Sequence, residues 1–407
     1  MELKNGRDQP GTERGTRDWR SIDLSQLCTL QRGFDLTEAT RKPGSVPVYS
    51  SSGISYYHAE ARVQSPGVVT GRKGLLGKVF YIQEPFWPHD TTLWVKDFKG
   101  NEPAFVALIL EQFHLEKLDA ATSVPTLNRN NLAGHEVVVP PTVDEQRRLV
   151  HVIQDADALI ECLEQLLAKK RQIKQGAMQE LLTGKKRLVP PTQGTKQIQS
   201  LPYGAFPADW KPLLLSDVCA FVTKGSTPTT YGFRWQDDGV LFLRSECVSQ
   251  FGLDLQQSMF IGADAHRSLR RSEVHEGDIL ITITGNVGRV VMLPEDFGEA
   301  NINQHIARIR VNRKDVNRDF LFHFLSQPAV RYYYELITTG QAYPQISLKQ
   351  VRTTELPLPD LEEQVAIAST LSDLDEDIGN TELKLAKARQ LKQGMMQELL
   401  TGRIRLV

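Results

Sequence analysis

Two short glycine-rich segments carry the side chains best suited to bind a nucleic acid. The first, at residues 71–78, reads G-R-K-G-L-L-G-K, and the second, at residues 284–289, reads T-G-N-V-G-R. Arginine and lysine bind phosphates, arginine also pairs with guanine edges, and asparagine pairs with adenine edges. A lone G-x-x-G between strands is typical of a plain turn, but its recurrence with basic or amide neighbours favours contact with DNA. The candidate residues in the two segments are Arg72, Lys73, Lys78, Thr284, Asn286 and Arg289.

Further polar side chains are candidates for the same contact. Each has an equally good alternative interpretation, as part of a solvated loop or of a turn whose hydrogen bonds are satisfied. The run Y-Y-Y at residues 332–334 could stack on bases, although packing against its own helix is the favoured interpretation. The candidates are Tyr49, Ser51 and Ser52 in the first half, and Lys224, Ser226, Thr227, Arg244, Asn303, Gln304 and Gln341 in the second.

The sequence lacks the residue sets that catalyse reactions. It contains no G-x-x-x-x-G-K-[ST] phosphate loop, and no G-x-G-x-x-G opens a helix, so a nucleotide or S-adenosylmethionine site of the doubly wound type is unsupported. The nine histidines form no H-x-x-x-H pair, which argues against a metal centre. Asp360, Glu362 and Glu363 lie where a helix begins, and capping explains these carboxylates better than nuclease chemistry does. The sequence therefore predicts a protein with no catalytic residues and no metal of its own.

The sequence contains an internal repeat, and the elements of this repeat must position the candidate side chains. Residues 141–189 align without a gap with residues 359–407, and about half of the aligned positions are identical. Both copies contain M-Q-E-L-L-T-G, and the two halves open with related segments, D-W-R-S-I-D-L-S-Q-L-C and D-W-K-P-L-L-L-S-D-V-C. Repetition in the same order indicates two copies of one unit, each with a variable globular part followed by a nearly invariant helical part.

The repeated part predicts two long helices. Capping boxes, T-V-D-E at 142–145 and D-L-E-E at 360–363, follow a proline, and Gly184 and Gly402 stand where C-terminal caps belong. Apolar residues recur mostly at three- and four-residue spacing, which predicts a coiled-coil seam and most simply an antiparallel pair; the alternative is two separate surface helices. The seam residues are Leu149, Ile153, Ala156, Ile160, Leu163 and Leu167 in the first helix, and Ile367, Leu371, Leu374, Ile378, Leu385, Ala388, Met395 and Leu399 in the second.

Polar residues and glycines interrupt the apolar pattern of these helices. Thr381 and Lys392 break the seam of the second copy. Gly176 and Gly394 occupy the same place in the two helices, where glycine costs about 1 kcal/mol relative to alanine. Their repetition predicts a close backbone approach, either between the helices or between a helix and a partner.

The remaining segments predict globular domains of mixed α and β structure. Strand patterns flank both glycine-rich segments, at 68–70 and 79–82 and again at 279–283 and 290–293. The predicted fold class is therefore α+β, with two similar globular domains joined by two long antiparallel coiled-coil helices in a pseudo-twofold repeat. The predicted order is a disordered tail at 1–17, a globular domain at 18–140, a helix at 141–184, a linker at 185–208, a second globular domain at 209–357, a helix at 358–402 and a tail at 403–407.

Composition excludes several classes of protein. The 407 residues include 48 Lys and Arg and 49 Asp and Glu, and this balance argues against a cationic nucleic-acid binder that acts alone. No apolar run reaches the roughly 18 residues that a membrane span needs, so no membrane partner is expected. The four cysteines are scattered and form no C-x-x-C pair, which favours a reducing compartment over a disulfide framework. A cytoplasmic location is the expectation.

The alternation of variable and repeated parts resembles the specificity subunit of type I restriction-modification systems. The motifs that carry this resemblance are P-P-T-V-D-E-Q and L-P-D-L-E-E-Q before the helices, and M-Q-E-L-L-T-G at their ends. Family-like phrases also include V-P-V-Y-S-S-S-G at 46–53, P-F-W-P-H-D-T-T at 85–92 and G-D-I-L-I-T-I-T-G-N-V-G at 277–288. The resemblance covers nearly the whole chain from Asp18 onward.

The resemblance implies a non-catalytic subunit that recognises double-stranded DNA. Each globular part would be a target recognition domain for one half of a bipartite sequence, and the helices would set the spacing and dock two methyltransferase subunits. S-adenosylmethionine would bind to those partners, while ATP and Mg would serve restriction and translocase subunits. A coiled-coil scaffold without DNA readout, or a divergent methyltransferase or nuclease, is the alternative. The residues expected to contact partners are Glu145, Gln146, Gly176, Glu363, Gln364 and Gly394.

Overall fold

The computed structural model describes residues 19–119, 125–190, 198–249, 252–340 and 343–406. They divide into two compact units: unit 1 comprises the described residues of Met1–Gln165 and Leu383–Val407, and unit 2 comprises those of Leu166–Glu382. The predicted domains follow one another along the chain, whereas the compact units divide both long helices in the middle. Each unit therefore contains one globular part together with stretches of both helices.

The first half of the chain contains short strands and two short helices ahead of one long helix. The strands are β1 (Arg20–Asp23), β2 (Thr29–Arg32), β3 (Val46–Ser50), β4 (Gly53–His58), β5 (Gly67–Gly71), β6 (Val79–Ile82), β7 (Trp87–Pro88), β8 (Thr92–Asp97) and β9 (Glu136–Val139). The helices are α1 (Leu24–Leu27), α2 (Pro103–Phe113) and α3 (Val143–Leu181).

The second half has the same plan with additional strands. The strands are β10 (Ile198–Leu201), β11 (Gly204–Pro207), β12 (Lys211–Leu214), β13 (Cys219–Lys224), β14 (Trp235–Gln236), β15 (Val240–Leu243), β16 (Val248–Ser249), β17 (Gly252–Leu253), β18 (Met259–Ile261), β19 (Glu273–Val274), β20 (Ile279–Thr282), β21 (Val290–Met292), β22 (Ala300–Ile302), β23 (Ile306–Val311) and β24 (Glu355–Leu358). The helices are α4 (Leu215–Val218), α5 (Ala263–Ser268), α6 (Arg318–Leu325), α7 (Pro328–Leu336), α8 (Leu348–Arg352) and α9 (Leu361–Leu399).

The two globular parts share one sheet topology. In unit 1 an antiparallel sheet has the order β2-β8-β5-β6, and in unit 2 the corresponding order is β13-β23-β20-β21. A parallel pair accompanies each sheet, β3 with β7 and β15 with β22, and a terminal antiparallel pair joins β1 to β9 and β12 to β24. The prediction of two similar domains of mixed α and β structure is confirmed, including the strands on both sides of each glycine-rich segment.

Strands β5 and β20 form the buried centre of these sheets. All five residues of β5, G-V-V-T-G, and all four of β20, I-L-I-T, are buried. Such a continuous apolar run is typical of a strand that is covered on both faces. The rigid sheet therefore holds the loop that follows each of these strands.

The long helices begin and end where the capping residues predict. Glu145 N donates to Thr142 Oγ1 at 3.2 Å, and α3 and α9 each run for 39 residues. Gly184 and Gly402 follow their C-terminal ends with φ values of +66° and +72°. Because glycine adopts positive φ without the steric penalty of a side chain, it ends these helices as expected.

Within each unit, α3 and α9 run antiparallel and are linked by ion pairs. In unit 1, Lys392 lies 2.5 Å from Asp157, and Arg389 lies 2.5 Å from Glu164. In unit 2, Lys170 Nζ lies 2.6 Å from Asp377, and Lys174 pairs with Asp375. Since the residue number rises along one helix as it falls along the other, the predicted antiparallel pairing is confirmed within both units.

Apolar residues of the predicted seam are buried between the helices and the globular cores. Leu149 and Ile153 join the core of unit 1, and Ile367 and Leu371 join the core of unit 2. Thr381 interrupts the seam as predicted, is 3% exposed, and accepts a hydrogen bond from Lys170 Nζ at 3.1 Å. The polar interruption is therefore satisfied by a lysine of the opposite helix.

Part of the predicted linker is an ordered hairpin, which corrects that prediction. Residues 191–197 lie outside the described residues, but β10 and β11 pair across residues 198–207. Tyr203 and Phe206 of this hairpin are buried in the core of unit 2. The burial of two aromatic side chains outweighs the Pro- and Gly-rich composition that suggested a linker.

The two predicted tails have different outcomes. Residues 1–17 lie outside the described residues. In the predicted tail at 403–407, Arg405 bonds to Glu145 in unit 1 at 3.1 Å. All four cysteines are unpaired, and burial raises the pKa of the Cys28 and Cys219 thiols to about 12. The described helices include none with the length and apolar character needed to cross a membrane.

Candidate nucleic-acid interface

The glycine-rich loops lie at the same end of the equivalent sheets. In unit 1 the register pairs Arg32 with Leu93 and Gly71 with Thr92, so the ends of β2 and β5 meet the start of β8. In unit 2 the ends of β13 and β20 meet the start of β23 in the same way. One edge of each sheet therefore gathers loops from segments that are far apart in sequence.

The loop of unit 1 is a tight turn with exposed cations. Gly74 and Gly77 have φ values of +85° and +84°, which a residue with a side chain rarely adopts. The Thr70 hydroxyl donates to Lys78 O at 2.9 Å and holds the two sides of the loop together. The side chains of Lys73 and Lys78 are exposed, so both can reach a phosphate.

The loop of unit 2 has the same backbone and a different surface. Gly285 and Gly288 have φ values of +78° and +81°, and the Thr282 hydroxyl donates to Asn286 O. Val287 is 2% exposed and anchors the turn in the core of unit 2. Asn286 is exposed at the tip of the loop, where its amide can donate and accept hydrogen bonds.

Matching backbone hydrogen bonds establish which residues of the two loops are equivalent. Leu127 N donates to Arg72 O at 2.9 Å, and Ile346 N donates to Ile283 O at 3.0 Å. One loop therefore has a cation, Lys73, where the other has the Thr284 hydroxyl, and an apolar residue, Leu75, where the other has the Asn286 amide. The equivalent pairs are Arg72 with Ile283, Lys73 with Thr284, Leu75 with Asn286, and Lys78 with Arg289.

Arg72 is held in position beneath its loop. Its Nη1 donates to Asp90 O at 3.1 Å, and Arg72 N donates to Thr91 O at 2.8 Å. The Asp90 carboxylate lies 3.0 Å from Arg32 Nη2 and 2.9 Å from His89 Nδ1. Asp35 lies close enough to His89 and Asp90 for the three side chains to share a metal ion in principle, but Asp90 is already paired with Arg32.

The candidates from the β3–β4 region of unit 1 divide into packed and exposed residues. Tyr49 packs against Phe80 with ring centroids 5.7 Å apart, and burial raises the pKa of its phenol. Ser51 borders the glycine-rich loop, because its Oγ lies 3.7 Å from where a Cβ on Gly74 would be. Ser52 is exposed, and its Oγ lies 3.0 Å from Ser50 Oγ. The structure thus brings Ser51 to the loop and uses the Tyr49 ring for packing.

Several candidates of unit 2 meet at the equivalent sheet edge. The Thr227 hydroxyl donates to Gln304 Oε1, and Gln304 Nε2 lies 2.9 Å from His305 Nε2. Lys224 is exposed at the end of β13, and Ser226 N donates to Ile302 O at 3.2 Å. These side chains form a polar edge beside the loop that carries Asn286.

Of the remaining candidates of unit 2, Asn303 and Arg244 form hydrogen bonds that stabilise the fold. Asn303 is 7% exposed, and its Oδ1 accepts from His305 N at 3.0 Å, which fixes the turn into β23. Arg244 donates from both Nε and Nη2 to Gln257 O at 3.1 Å. Arg289 is half-buried, and within the described chain its Nε has no hydrogen-bond partner. Gln341 lies outside the described residues.

The glutamates at the helix starts are buried, so the expectation that they contact a partner needs correction. Glu145 is 3% exposed and accepts hydrogen bonds from Arg405 and Trp19, each at 3.1 Å. Glu363 is 2% exposed and accepts from Arg187 Nε at 2.6 Å. These carboxylates are occupied inside the chain, because a buried charge requires an internal partner.

Arg187, which follows the end of α3, is bound by two carboxylates. Its Nη1 lies 3.0 Å from Asp209 Oδ2, in addition to the two bonds it makes to Glu363. Burial opposes the charge, but the bonds to both carboxylates outweigh it and raise the pKa of the Arg187 guanidinium. The arginine that follows each long helix, Arg187 or Arg405, and the D-W segment that opens each half thus stabilise the fold.

The glutamines next to those glutamates are also occupied within the chain. Gln146 is 3% exposed, and its Oε1 accepts from Glu102 N at 2.8 Å, where α2 begins. Gln364 is 1% exposed, and its Oε1 accepts from Asn317 N at 2.8 Å, where α6 begins. Both side chains tie a globular part to a long helix, which corrects their predicted role as partner contacts.

The two helix glycines do not approach the other helix. A Cβ built on Gly176 or Gly394 would meet nothing within 4 Å among the described residues. The predicted close approach between the helices is therefore wrong. The alternative in that prediction, close contact with a partner, stays a prediction. In the tyrosine run, Tyr334 is buried and bonds to Thr354 at 2.6 Å, Tyr333 packs on Tyr203, and Tyr332 is 61% exposed.

Sequence reasoning missed two arginines at the sheet edge of unit 1. Arg32 ends β2, and Arg129 begins a short 3₁₀ turn, far from each other and from Arg72 in sequence. All three line one cleft. No local motif marks such a set, since only the pairing of β2 with β8 and of Lys73 with Thr126 brings these segments together.

Comparison with known proteins places these observations in a family. The family described as "Type I restriction modification DNA specificity domain" matches residues 16–172 and 207–388. The chain is similar to the type I restriction enzyme EcoBI specificity subunit of Escherichia coli, with 22% identity over 418 residues that cover 95% of this chain and 86% of the relative.

Solved structures show the same fold. The S subunit of the type I restriction-modification system from M. genitalium has a TM-score of 0.59 at 12% identity, with 98% of both chains covered. A chain from a structure concerned with complex assembly and conformational transition of the type I R-M system has a TM-score of 0.55 at 16% identity, covering 96% of this chain and 100% of that one. At these identities the likeness concerns the fold alone.

Proposed function

The chain belongs to the family of type I restriction-modification DNA specificity subunits, and we propose that its two equivalent loops read the two halves of a bipartite DNA target. As a member of this family it is a non-catalytic component of a DNA-binding complex, with two target recognition domains. In the proposed function, residues 71–78 serve one half-site and residues 284–289 the other. Ser51 in unit 1 and Thr227, Gln304 and Lys224 in unit 2 flank the contacts.

One observation carries the proposal, namely that the same exposed loop is built twice with different chemistry. Gly74 and Gly285 have matching positive φ values, and each donates from its N–H to a proline carbonyl, at 3.0 and 2.8 Å respectively. A shared backbone with different tip residues is what two readers of different sequences need, because base edges are distinguished by side-chain donors and acceptors.

The helices are proposed to set the distance between the half-sites and to dock two methyltransferase subunits. The repetition of α3 and α9 in one chain supports this, since two identical partners need two equivalent surfaces. Gly176 and Gly394 support it further, because each leaves open space where a partner helix could approach closely. The buried residues Glu145 and Glu363 would support the dock from within, without touching the partner.

The chemistry of modification and cleavage is assigned to the partners. S-adenosylmethionine would be bound by the methyltransferase subunits, and ATP with Mg by restriction and translocase subunits. This chain would contribute DNA binding and orientation, so that the partners reach the correct adenine. Since DNA is the substrate of the whole complex, the proposed place of action is the cytoplasm.

DNA binding by the assembled complex tests the proposal. The complex of this chain with methyltransferase should bind one bipartite duplex in the nanomolar range, roughly a thousandfold or more tighter than unrelated DNA. The chain alone should bind DNA weakly and lose that binding as salt rises. An assembled complex with equal affinity for every sequence would leave only a scaffold role and would overturn the proposal.

A further inference from the structure

A cleft in unit 1 is lined by arginines that come from three separate segments. It has a volume of about 400 Å³ and is bordered by Arg32, Arg72 and Arg129, with Leu93 and Leu127 as apolar walls and Asn128 at its rim. It opens at the sheet edge from which the glycine-rich loop of unit 1 emerges. Three guanidinium groups around one opening form a positively charged receptacle.

The charges in this cleft are only partly balanced. The Asp90 carboxylate pairs with Arg32, while Arg72 donates to the uncharged Asp90 carbonyl. These bonds hold two guanidinium groups in place without neutralising both of them. The remaining positive charge can attract an anion, and the N–H groups of an arginine match the geometry of phosphate oxygens.

Arg129 is the side chain of the cleft that remains available. It is exposed, and it has no hydrogen bond or ion pair to any residue in the described part of the chain. Its backbone is nevertheless fixed, because Asn128 Oδ1 accepts from Asn130 N at 3.0 Å and caps the turn that Arg129 begins. Because the backbone of Arg129 is fixed and its guanidinium has no partner among the described residues, the guanidinium can bind an incoming ligand.

We propose that this cleft binds one phosphodiester group of the DNA backbone, with Arg129 as the principal contact and with Arg32 and Arg72 reinforcing the positive charge. The inference rests on the proposed function and adds to it a phosphate site whose principal contact, Arg129, lies outside the glycine-rich loops. Such a contact fixes the register of unit 1 on the duplex and does not itself read a base.

The described residues of unit 2 do not form this site. Lys224 ends β13 as Arg32 ends β2, and Ile283 is the equivalent of Arg72. Ser347 caps its turn as Asn128 does, so Leu348 takes the place of Arg129. Two of the three guanidinium groups are therefore replaced by apolar side chains, and the phosphate contact belongs to the half-site bound by unit 1.

The test compares Arg129→Gln with the parent chain, both assembled with methyltransferase, on the target sequence and on unrelated DNA. The variant should bind both DNAs roughly tenfold more weakly, and the slope of log affinity against log salt should fall by about 1. Lys96→Gln is the matched control, since it removes an exposed cation from the far part of β8. Arg129→Lys should restore part of the affinity, and unchanged melting temperatures confirm that the variants are folded.

Duplexes with one neutral methylphosphonate at each backbone position in turn identify the contact. The loss caused by Arg129→Gln should vanish at one position, because there the parent complex has lost the same contact. A loss limited to the target sequence, with an unchanged salt slope, would show base contact and overturn the proposal. So would a variant that behaves as Lys96→Gln does while the parent complex keeps its sequence preference.

Two further outcomes separate this inference from the proposed function. If the parent complex shows no sequence preference, the proposed function fails and this inference fails with it.

A separate experiment compares the effect of inorganic phosphate with that of chloride, at equal ionic strength, on a parent complex that has a sequence preference. Phosphate that binds the parent complex but not Arg129→Gln, and leaves DNA affinity unchanged, would assign the cleft to free phosphate and overturn the proposal; phosphate that competes with DNA only in the parent supports it.

Discussion

The two glycine-rich loops share one backbone conformation but carry different side chains. Lys73 and Lys78 are cations that suit phosphates, whereas Asn286 offers an amide that can pair with both the donor and the acceptor of an adenine edge. Because the glycines fix the turn in both units, the difference between the loops lies in their side chains alone. Base discrimination in unit 2 is therefore expected to depend on Asn286 more than on its neighbours.

Replacing Asn286 by alanine should relax recognition of one half-site. Loss of a bidentate contact costs about 1–3 kcal/mol, so the advantage of the preferred base at one position should fall by a factor of roughly 5 to 150. Methylation of a library with both half-sites randomised measures this. Lys73→Ala is the contrast, since Lys73 lies in unit 1 and its loss should leave the base preferences in this half-site unchanged. Unchanged preferences in both half-sites would contradict the role of Asn286.

Buried His323 should make the stability of unit 2 depend on pH. It is 1% exposed, bonds to Ser372 at 3.1 Å and lies 3.9 Å from Asp375, yet burial lowers the pKa of its imidazole from 6.5 to about 4. Between these values the unfolded chain binds a proton that the folded chain excludes. Stability is therefore complete above pH 6.5 and falls by roughly 3 kcal/mol as pH drops to about 4.

The His323→Gln variant isolates this contribution. An amide can keep the bond to Ser372 but does not titrate, so melting temperatures measured from about pH 7 down to about pH 4.5 should fall less steeply than in the parent. Parallel curves for the two chains would show that His323 is not the group responsible.

Single residues also mark the limit of prediction from the sequence at this site. The loop glycines were predictable because their spacing recurs in both halves. Arg32 and Arg129 were not, since strand pairing rather than a motif brings them to Arg72. Glu145 is predicted to contact a partner, but its side chain accepts hydrogen bonds from Arg405 and Trp19 inside the chain.

At the scale of elements, the helix glycines divide into two kinds. Gly184 ends α3 with positive φ, and a Cβ there would lie 2.5 Å from the Pro207 ring and 3.1 Å from Trp210. Gly176 has ordinary helical backbone and open space around it. Both occur near the end of one helix, so they provide a matched pair for substitution.

Alanine should have opposite effects at these two glycines. Gly176→Ala should stabilise the isolated chain by about 1 kcal/mol, because alanine restricts the unfolded chain and favours the helix. Gly184→Ala should destabilise it, since both φ and space oppose a side chain. Thermal unfolding of the free chain measures both effects. If Gly176 serves a methyltransferase contact, its alanine variant should also assemble more weakly despite its greater stability; equal assembly would remove that role.

The elements were largely predictable from capping and periodicity, and the exceptions have physical causes. T-V-D-E and D-L-E-E mark the helix starts because their side chains satisfy backbone N–H groups that the helix leaves open. The segment at 185–208 is predicted as a linker because it is rich in Pro, Gly and Gln, yet Tyr203 and Phe206 pack into the core of unit 2. Tertiary burial of aromatic rings cannot be inferred from local composition.

At the scale of the whole molecule, the proposed function assigns catalysis and part of the positive charge to partner subunits. A net charge of -1 is low for a protein that must hold DNA by itself. The arginine cleft and the cationic loop concentrate positive charge in unit 1 without making the chain basic. A chain of this kind suits a subunit that reads sequence while its partners supply further phosphate contacts and the reaction.

The helices should act as a ruler between the half-sites. Four residues inserted after Gln172 lengthen α3 by roughly 6 Å, which is nearly two base-pair steps. The spacer in the recognised sequence should change accordingly, and its length can be determined by sequencing the methylated sites. A matched insertion after Glu295, in the exposed segment between β21 and β22, should leave the spacer unchanged. An unaltered spacer after the helix insertion would contradict the ruler function.

The central claim is that this chain supplies the sequence specificity of a DNA-modifying complex. Methylome sequencing of a host with and without the gene tests it most directly. The account predicts one bipartite methylated motif that disappears when the gene is deleted and returns with the intact chain. Complementation with the Asn286→Ala chain should yield a motif relaxed in one half only. A methylome unchanged by deletion, or a contiguous motif without a spacer, would contradict the account.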